Sequence, residues 1–263
     1  MSKDIIPFLE KAPPGEYEQC SAALNSIVSN PSTIQSARSA TINKWNEKEC
    51  NIVEVNGHNA IICAEGKLGQ GEYLDAVTNQ PFSYNFESRS VTPGSSPAPE
   101  SSPLRDAIQK EIGGYIETTY RENSAAGAYI SGNSIIIILR SSSISLRNFR
   151  TGHIIAKYTY SDGKLTGRID SFEHFFENGN AVCQFGAKIN KSINGGAPAE
   201  IAKNIVKAIS AFEDDWYSEQ NDALQKINTD GLKQLRRDYT VSRTGINWQQ
   251  EFTVGGGMGA FKQ

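Results

Sequence analysis

The chain has 263 residues and a formal net charge of −3, from 26 Lys and Arg against 29 Asp and Glu. Hydrophobic residues make up 38% and charged residues 21%, an ordinary globular composition, and the balanced charge excludes a nucleic-acid binder held by an overall basic surface. The longest aliphatic run, Ile135 to Leu139, is far shorter than the roughly 20 residues that cross a bilayer. Because the first residues also lack the apolar stretch of a signal peptide, we predict a cytoplasmic protein.

The four cysteines and three histidines are widely spaced. A zinc site takes its ligands in closely spaced pairs, so we predict no metal site and expect the cysteines to be free thiols. The sequence contains no G-x-S-x-G elbow and no phosphate-binding glycine loop. We therefore predict no cofactor and no enzymatic activity. The alternative, an enzyme on the same fold, would require polar groups to converge on Cys183 or His174.

The first segment, residues 1–50, is predicted to be an N-terminal helical region. Prolines divide it into three stretches. Apolar residues in the middle stretch recur at spacings of three and four, which is typical of a helix. We therefore expect short helices near residues 3–11, 16–29 and 32–46.

Residues 51–87 are predicted to form a small β module. Two short β-like pieces, Ile52–Val55 and Ala60–Cys63, flank Asn56-Gly57, a strong signal of a hairpin. The following residues, 88–103, contain six serines and four of the ten prolines. Such a composition cannot bury much apolar surface, so we predict an exposed, mobile Ser/Pro-rich loop.

Residues 104–228 are predicted to form a helix, a central sheet and a long helix. The first helix has a good N-cap in Ser102 and a proline at its first position. Tight turns at Asp162-Gly163 and Asn178-Gly179 force neighbouring strands to be antiparallel. We therefore expect about five antiparallel strands across residues 125–191.

Apolar residues at steps of three and four predict one long helix across residues 199–228. About 45 Å of helix is long enough to run across five strands. The predicted fold class is therefore α+β: N-terminal helices, a small β module, and a central antiparallel sheet with a long C-terminal helix packed across it, followed by a mobile C-terminal tail.

The strand that contains Ile135 to Leu139 is apolar at every one of these positions, although a strand with one solvated face should alternate. Both of its faces or an edge must therefore be covered. The long helix covers one face, and the other needs either the N-terminal helices or a second chain. The sequence leaves both alternatives open.

The last segment, residues 229–263, concentrates positive charge in a chain that is slightly acidic overall. In a short helix, Lys233, Arg236 and Arg237 would lie on one face, because their spacing is i, i+3 and i+4. Cations near a helix C-terminus can simply complement its dipole, but Arg243 follows in an extended stretch where that explanation fails. Taken by itself, the pattern is equally compatible with a binding site and with dipole compensation.

Four stretches in order along the chain resemble the α subunit of F-actin capping protein. The resemblance covers nearly the whole chain, and four collinear motifs are more specific than any one of them. They are Ala12-Pro13-Pro14-Gly15-Glu16-Tyr17; Asn148-Phe149 with Gly152; His174-Phe175-Phe176-Glu177-Asn178-Gly179-Asn180; and Leu232-Lys233-Gln234-Leu235-Arg236-Arg237 with Val241-Ser242-Arg243-Thr244 and Ile246-Asn247-Trp248.

The resemblance implies an obligate heterodimer with a capping protein β subunit, in which the two central sheets join into one. Such a heterodimer binds the barbed, fast-growing end of the actin filament in the cytoplasm and blocks subunit addition and loss without severing. The resemblance implies no catalysis, and it implies phosphoinositides and capping regulators as further partners.

The resemblance also assigns the actin-binding residues. The family's basic positions correspond to Lys233, Arg236, Arg237 and Arg243, which would bind acidic groups on actin. The family's C-terminal extension, the tentacle, would present Trp248 and Phe252. Four glycines between Gly255 and Gly259 do not fit a stable tentacle helix, since each glycine destabilises a helix by about 1 kcal/mol relative to alanine.

Two alternatives keep the fold and change the partner. The first is a subunit that caps an actin-related filament such as that of dynactin. The second is a cytoskeletal scaffold regulated by anionic lipid, which would bind through the same basic cluster.

Overall fold

The fold is described from a computed structural model, which covers residues 2–120, 123–177, 179–226 and 229. It confirms the predicted α+β class, with helices and antiparallel sheets in the expected order. The chain divides into two compact units, residues 1–213 and 214–263. Among the described helices, none is both long and apolar enough to cross a membrane.

The helices are α1 Ser2–Glu10, α2 Tyr17–Leu24, α3 Pro31–Lys48, α4 Pro103–Thr119 and α5 Pro198–Lys226, with a short 3₁₀ helix at Leu146–Asn148. The strands are β1 Ile52–Val55, β2 His58–Ile61, β3 Lys67–Gly69, β4 Glu72–Asp75, β5 Gln80–Asn85, β6 Ser90–Pro93, β7 Ser124–Ser131, β8 Ser134–Ser145, β9 Arg150–Ser161, β10 Lys164–Phe175 and β11 Ala181–Ser192.

The three N-terminal helices lie where the prolines predict them, although α2 ends earlier than expected. The third begins with an Asn30 cap, whose side chain accepts a hydrogen bond from the Ser32 N–H at 3.0 Å. Trp45 of α3 donates its indole N–H to the Ala12 carbonyl at 3.0 Å. This bond and a shared apolar core hold the helices and the chain after α1 together.

The small β module contains the predicted hairpin, β1 and β2, with Asn56 and Gly57 at positive φ in its turn. A separate four-stranded sheet follows, in the order β3-β4-β5-β6. The prediction that residues 88–103 form one loop is wrong in part, because β6 lies within it and pairs with β5. The pairing depends on a turn in which the Asn85 side chain accepts from the N–H groups of Glu87 and Ser88.

The central sheet has five antiparallel strands in the order β11-β10-β9-β8-β7, as predicted. Asp162 and Gly163 form the predicted tight turn, both at positive φ. The predicted two-residue turn at Asn178-Gly179 is wrong: β10 ends at Phe175 and β11 begins at Ala181, so the connection is longer. Asn178 itself lies outside the described residues.

Both faces of the apolar strand β8 are covered by this chain. On one face, Ile137 pairs with Tyr158, whose ring meets Phe212 of α5 edge-on at 6.3 Å. On the other face, Ile138 belongs to a buried cluster with Leu74 of the small β module. The chain therefore covers this strand itself, but with the small β module and not with the N-terminal helices that the sequence suggested. The strand is no evidence for a partner.

Helix α5 begins and ends within two residues of the predicted bounds. Within the first unit its buried residues Ala202, Ile205 and Ile209 face the core. Glu213 is buried as well, and its carboxylate accepts hydrogen bonds from three tyrosine hydroxyls, those of Tyr115, Tyr120 and Tyr158. These bonds join α4, β9 and the helix around one carboxylate.

Candidate functional site

One edge of the central sheet is closed by helix α4. The Gln109 side chain donates to the Ala126 carbonyl at 3.1 Å and accepts from the Ala128 N–H at 2.8 Å. Arg105 donates from Nε to the Ala128 carbonyl at 2.9 Å. Both side chains are buried, so the outer backbone groups at the middle of β7 are bonded within the chain and not free for another strand.

The opposite edge, β11, is open. This strand pairs with β10 over its whole length, and no other strand in the described part of the chain lies against it. Between Ala181 and Ala187 it carries neither a charge nor a proline, the residues that commonly protect free edges. Its side chains alternate between exposed and half-buried, with Val182 at 53% exposure. Lys188 and Lys191 protect the second half of the strand, so its first half is the template for another strand.

Three of the four motif stretches meet at one end of this sheet, which we call the sheet-end node. At its centre is the carboxylate of Glu16, which accepts from the Thr151 hydroxyl at 2.7 Å and lies 2.6 Å from His174 Nδ1. The second ring nitrogen of His174 is 3.2 Å from Asn180 Oδ1. Glu16 and His174 are mostly buried, with 12% and 10% of their side chains exposed. The node thus fixes the chain before α2 to strands β9 and β10.

Aromatic residues extend the node towards solvent. The Phe176 N–H donates to the Phe149 carbonyl at 2.9 Å, and the two rings meet edge-on at 5.9 Å. Phe149 has left-handed backbone angles, φ 53° and ψ 38°, which are costly for a bulky residue. A strained, half-exposed phenylalanine of this kind is typical of a functional surface rather than of a core.

Gly15 allows the chain before α2 to approach strand β8 closely at the sheet-end node. Gly15 has φ +79°, and a Cβ there would lie 2.7 Å from Ile144 Cδ1. Any other residue would strain the backbone and displace Ile144.

The enzymatic alternative had two possible centres, Cys183 and His174, which lie apart. His174 pairs with Val182 and Cys183 with Glu173, so His174 and Cys183 project from opposite faces of the sheet. Thr151, which pairs with His174 across the sheet, donates its hydroxyl to Glu16. Within the described residues, no group of three His, Cys, Asp or Glu side chains could hold a metal ion. The geometry of the node is that of a structural clamp.

A second polar cluster lies beneath the sheet, where α3 ends. Arg140 donates from Nε to the Glu49 carbonyl at 2.8 Å, and His153 Nδ1 lies 3.7 Å from Glu49 Oε2. Burial lowers the pKa of His153 to about 3, helped by the positive charges of Arg140 and Lys48. Burial raises the pKa of the Glu49 carboxyl. The imidazole is therefore neutral here, stacked on Phe172 at 5.8 Å.

The actin-binding residues predicted from the sequence lie outside the described residues. They are Lys233, Arg236, Arg237, Arg243, Trp248 and Phe252. The assignment of a basic actin-binding segment within residues 229–263 therefore stays a prediction. Nothing in the sequence by itself indicated that Glu16 would meet His174, which lies 158 positions away. The glycine after two prolines and the motif around Phe149 marked these stretches as notable, but not that they meet.

Comparisons with known proteins agree over almost the whole chain. A family described as F-actin capping protein alpha subunit matches residues 5–256. Relatives named F-actin-capping protein subunit alpha include one from Yarrowia lipolytica, 27% identical over 96% of each chain, and one from Dictyostelium discoideum, 25% identical over 92% of this chain and 91% of that protein.

A solved structure is similar in fold. It is the homodimeric actin capping protein alpha subunit from Plasmodium berghei, with a TM-score of 0.72 over 92% of this chain and 98% of that one. At 22% identity the likeness shows the shared fold.

Proposed function

Since the chain belongs to the F-actin capping protein alpha subunit family, we propose that it is one half of a heterodimer that binds the barbed end of the actin filament. There it blocks subunit addition and loss without severing. The observation that carries the proposal is the family match over residues 5–256, because it includes both the central sheet and the basic C-terminal segment.

The open strand β11 supports the proposed partner, a capping protein β subunit of similar fold. An antiparallel strand added along β11 would satisfy its outer backbone groups and extend the sheet across the two chains. The opposite edge is already closed by Gln109 and Arg105. One edge of the central sheet is thus left for pairing, so joining two central sheets gives a closed dimer and not an open chain of subunits.

A homodimer is the second candidate assembly. The similar Plasmodium berghei protein is a homodimeric actin capping protein alpha subunit, and two copies of β11 could also pair about a two-fold axis. We favour the heterodimer from the sequence resemblance.

The filament contact is proposed to involve the basic segment. Lys233, Arg236, Arg237 and Arg243 would bind carboxylates on the terminal actin subunits, with arginine forming bidentate pairs. Trp248 and Phe252 would add apolar contacts from the tentacle. Because exposed charges steer association, capping should become slower as salt rises.

The proposed activity is stoichiometric binding in the cytoplasmic actin cytoskeleton. Phosphoinositides would compete with actin for the same cations, and protein regulators of capping would bind the heterodimer. An actin-related filament such as that of dynactin is the alternative target.

Co-expression with a capping β subunit tests the proposed assembly. The two chains should copurify as a one-to-one complex by light scattering, and this complex should stop elongation of pyrene-actin from filament seeds. A stable pair of identical chains that caps without a β subunit would replace the heterodimer with the homodimer. A one-to-one complex that sediments with dynactin filaments and leaves actin elongation unchanged would favour the alternative target.

A further inference from the structure

The Ser/Pro-rich segment after β6 is anchored to the small β module through one carboxylate. Glu72, in β4, accepts hydrogen bonds from the hydroxyls of Ser95, at 2.6 Å, and Ser96. The backbone N–H groups of the same serines lie 2.9 and 3.3 Å from its two oxygens. These hydrogen bonds lower the pKa of Glu72 to about 2. The anchor therefore depends on an ionised carboxylate and on hydroxyl hydrogens that point to it.

One of these serines, Ser96, precedes a proline in an irregular and largely exposed part of the chain, although Ser96 itself is half-buried against Glu72. Three such steps occur here: Thr92-Pro93, Ser96-Pro97 and Ser102-Pro103. Thr92 is held in β6, and Ser102 caps α4 by accepting from the Arg105 N–H at 3.1 Å. Ser96-Pro97 lies between these elements, in residues 94–102, where the backbone forms neither helix nor strand. A kinase needs its target in such an accessible, irregular segment.

We propose that Ser96 is a phosphorylation site for a proline-directed protein kinase, and that its phosphorylation releases residues 94–102 from the small β module. In the reaction, Ser96 Oγ forms a bond to the γ-phosphorus of ATP, and the bond from that phosphorus to the β–γ bridging oxygen breaks. ADP leaves with the bond electrons, and the hydroxyl proton passes to the base of the kinase. The proposal does not depend on the proposed function.

The release follows from the position of Glu72. Phosphorylation removes the hydrogen that Ser96 Oγ donates to this carboxylate and places nearly two negative charges beside it. Like charges at contact distance repel, so the hydroxyl and amide bonds of the anchor are lost together. The opposite effect is expected at Ser102, where a phosphate would lie at the N-terminus of α4 and be stabilised by its N–H groups.

The test uses the full chain, with its partner subunit if it forms one, in a Thr92→Val/Ser102→Asn background. Asparagine keeps a good cap at position 102, and Ser96 is then the one Ser-Pro or Thr-Pro step of this segment. A mitogen-activated protein kinase with ATP should phosphorylate Ser96, detected by mass spectrometry. A synthetic peptide of residues 90–102 serves as the positive control for the kinase. A kinase that modifies the peptide and leaves Ser96 of the folded protein unmodified would overturn the site.

The release is measured by hydrogen exchange at the Ser95 and Ser96 amides. Phosphorylation should accelerate their exchange about tenfold or more, because the loss of one hydrogen bond to a charged group shifts the local opening equilibrium by about that factor. A Glu72→Gln variant should exchange faster without phosphate, and phosphorylation should then add little. Equal acceleration by phosphate in both proteins, or none in the protein that keeps Glu72, would show that Glu72 is not the point of release.

Discussion

At the scale of single residues, Glu16 connects distant parts of the fold. Its carboxylate accepts a hydrogen bond from the Thr151 hydroxyl and contacts the His174 ring, and so ties the chain before α2 to two strands of the central sheet. Because the group is mostly buried, its partners cannot turn to water when it is removed. The node is therefore expected to contribute more than an exposed ion pair would.

Replacing Glu16 with alanine should lower the free energy of unfolding by about 1–3 kcal/mol, since a buried hydroxyl and an imidazole lose their acceptor. Chemical denaturation of the purified protein measures the loss. Glu10→Ala, at an exposed position at the end of α1, is the matched control and should change stability by no more than about 0.5 kcal/mol. Equal effects of the two substitutions would show that the node does not stabilise the fold.

His153 should make the protein less stable in acid. Its pKa is about 3 in the folded protein and about 6.5 in an unfolded chain. Between these values the unfolded state binds the extra proton, so stability falls as the pH drops below about 6.5, by about 2 kcal/mol from this residue at pH 5. His153→Gln cannot take up that proton.

Urea denaturation of both proteins at pH 7.5 and pH 5 checks this prediction. The protein with His153 should lose more stability between the two pH values than His153→Gln does. The opposing effect of Glu49, whose raised pKa favours the folded state at lower pH, is present in both proteins and cancels in the comparison to first order. The same loss in both would contradict a buried, neutral imidazole.

At the scale of elements, local signals predicted those parts of the fold that are locally determined. Ser102 and Pro103 mark the start of α4, and Asp162-Gly163 marks a tight turn, because capping and turn geometry involve only neighbouring residues. Strand β6 was missed because it is only four residues long, ends in a proline and lies in a segment rich in serine and proline, so that its pairing with β5 decides its conformation. The meeting of Glu16 with His174 depends on the whole topology and could not be predicted from spacing.

The edge strand β11 is expected to be a contact between subunits. Val182→Lys with Gln184→Lys should weaken assembly with the β subunit about tenfold or more, because two cations would be buried without partners in a joined sheet. Ser90→Lys with Thr92→Lys, on the exposed edge strand β6, is the matched control. Size-exclusion chromatography with light scattering over a dilution series measures both. Unchanged assembly of the β11 variant would place the subunit contact elsewhere.

At the scale of the whole molecule, the described residues form a scaffold whose central sheet has one closed and one open edge. The α+β class, the five-stranded sheet and the long helix were all predictable, because their periodicity is strong and their turns are short. The predicted actin-binding segment lies beyond Lys226, outside the described residues. Its role rests on the residue pattern and on family membership, and it must be tested in solution.

We propose above all that cations near the C-terminus hold the heterodimer on the barbed end of the filament. Elongation of pyrene-actin from seeds, titrated with the heterodimer, tests it most directly. Arg237→Ala with Arg243→Ala should weaken capping by about 1.5–3 kcal/mol for each charged group, with the heterodimer intact. Lys203→Ala with Lys207→Ala, two exposed lysines of α5, should cap like the unmodified protein. If the double arginine variant stopped elongation at the same concentration as the unmodified heterodimer, the proposed role of these cations would be contradicted.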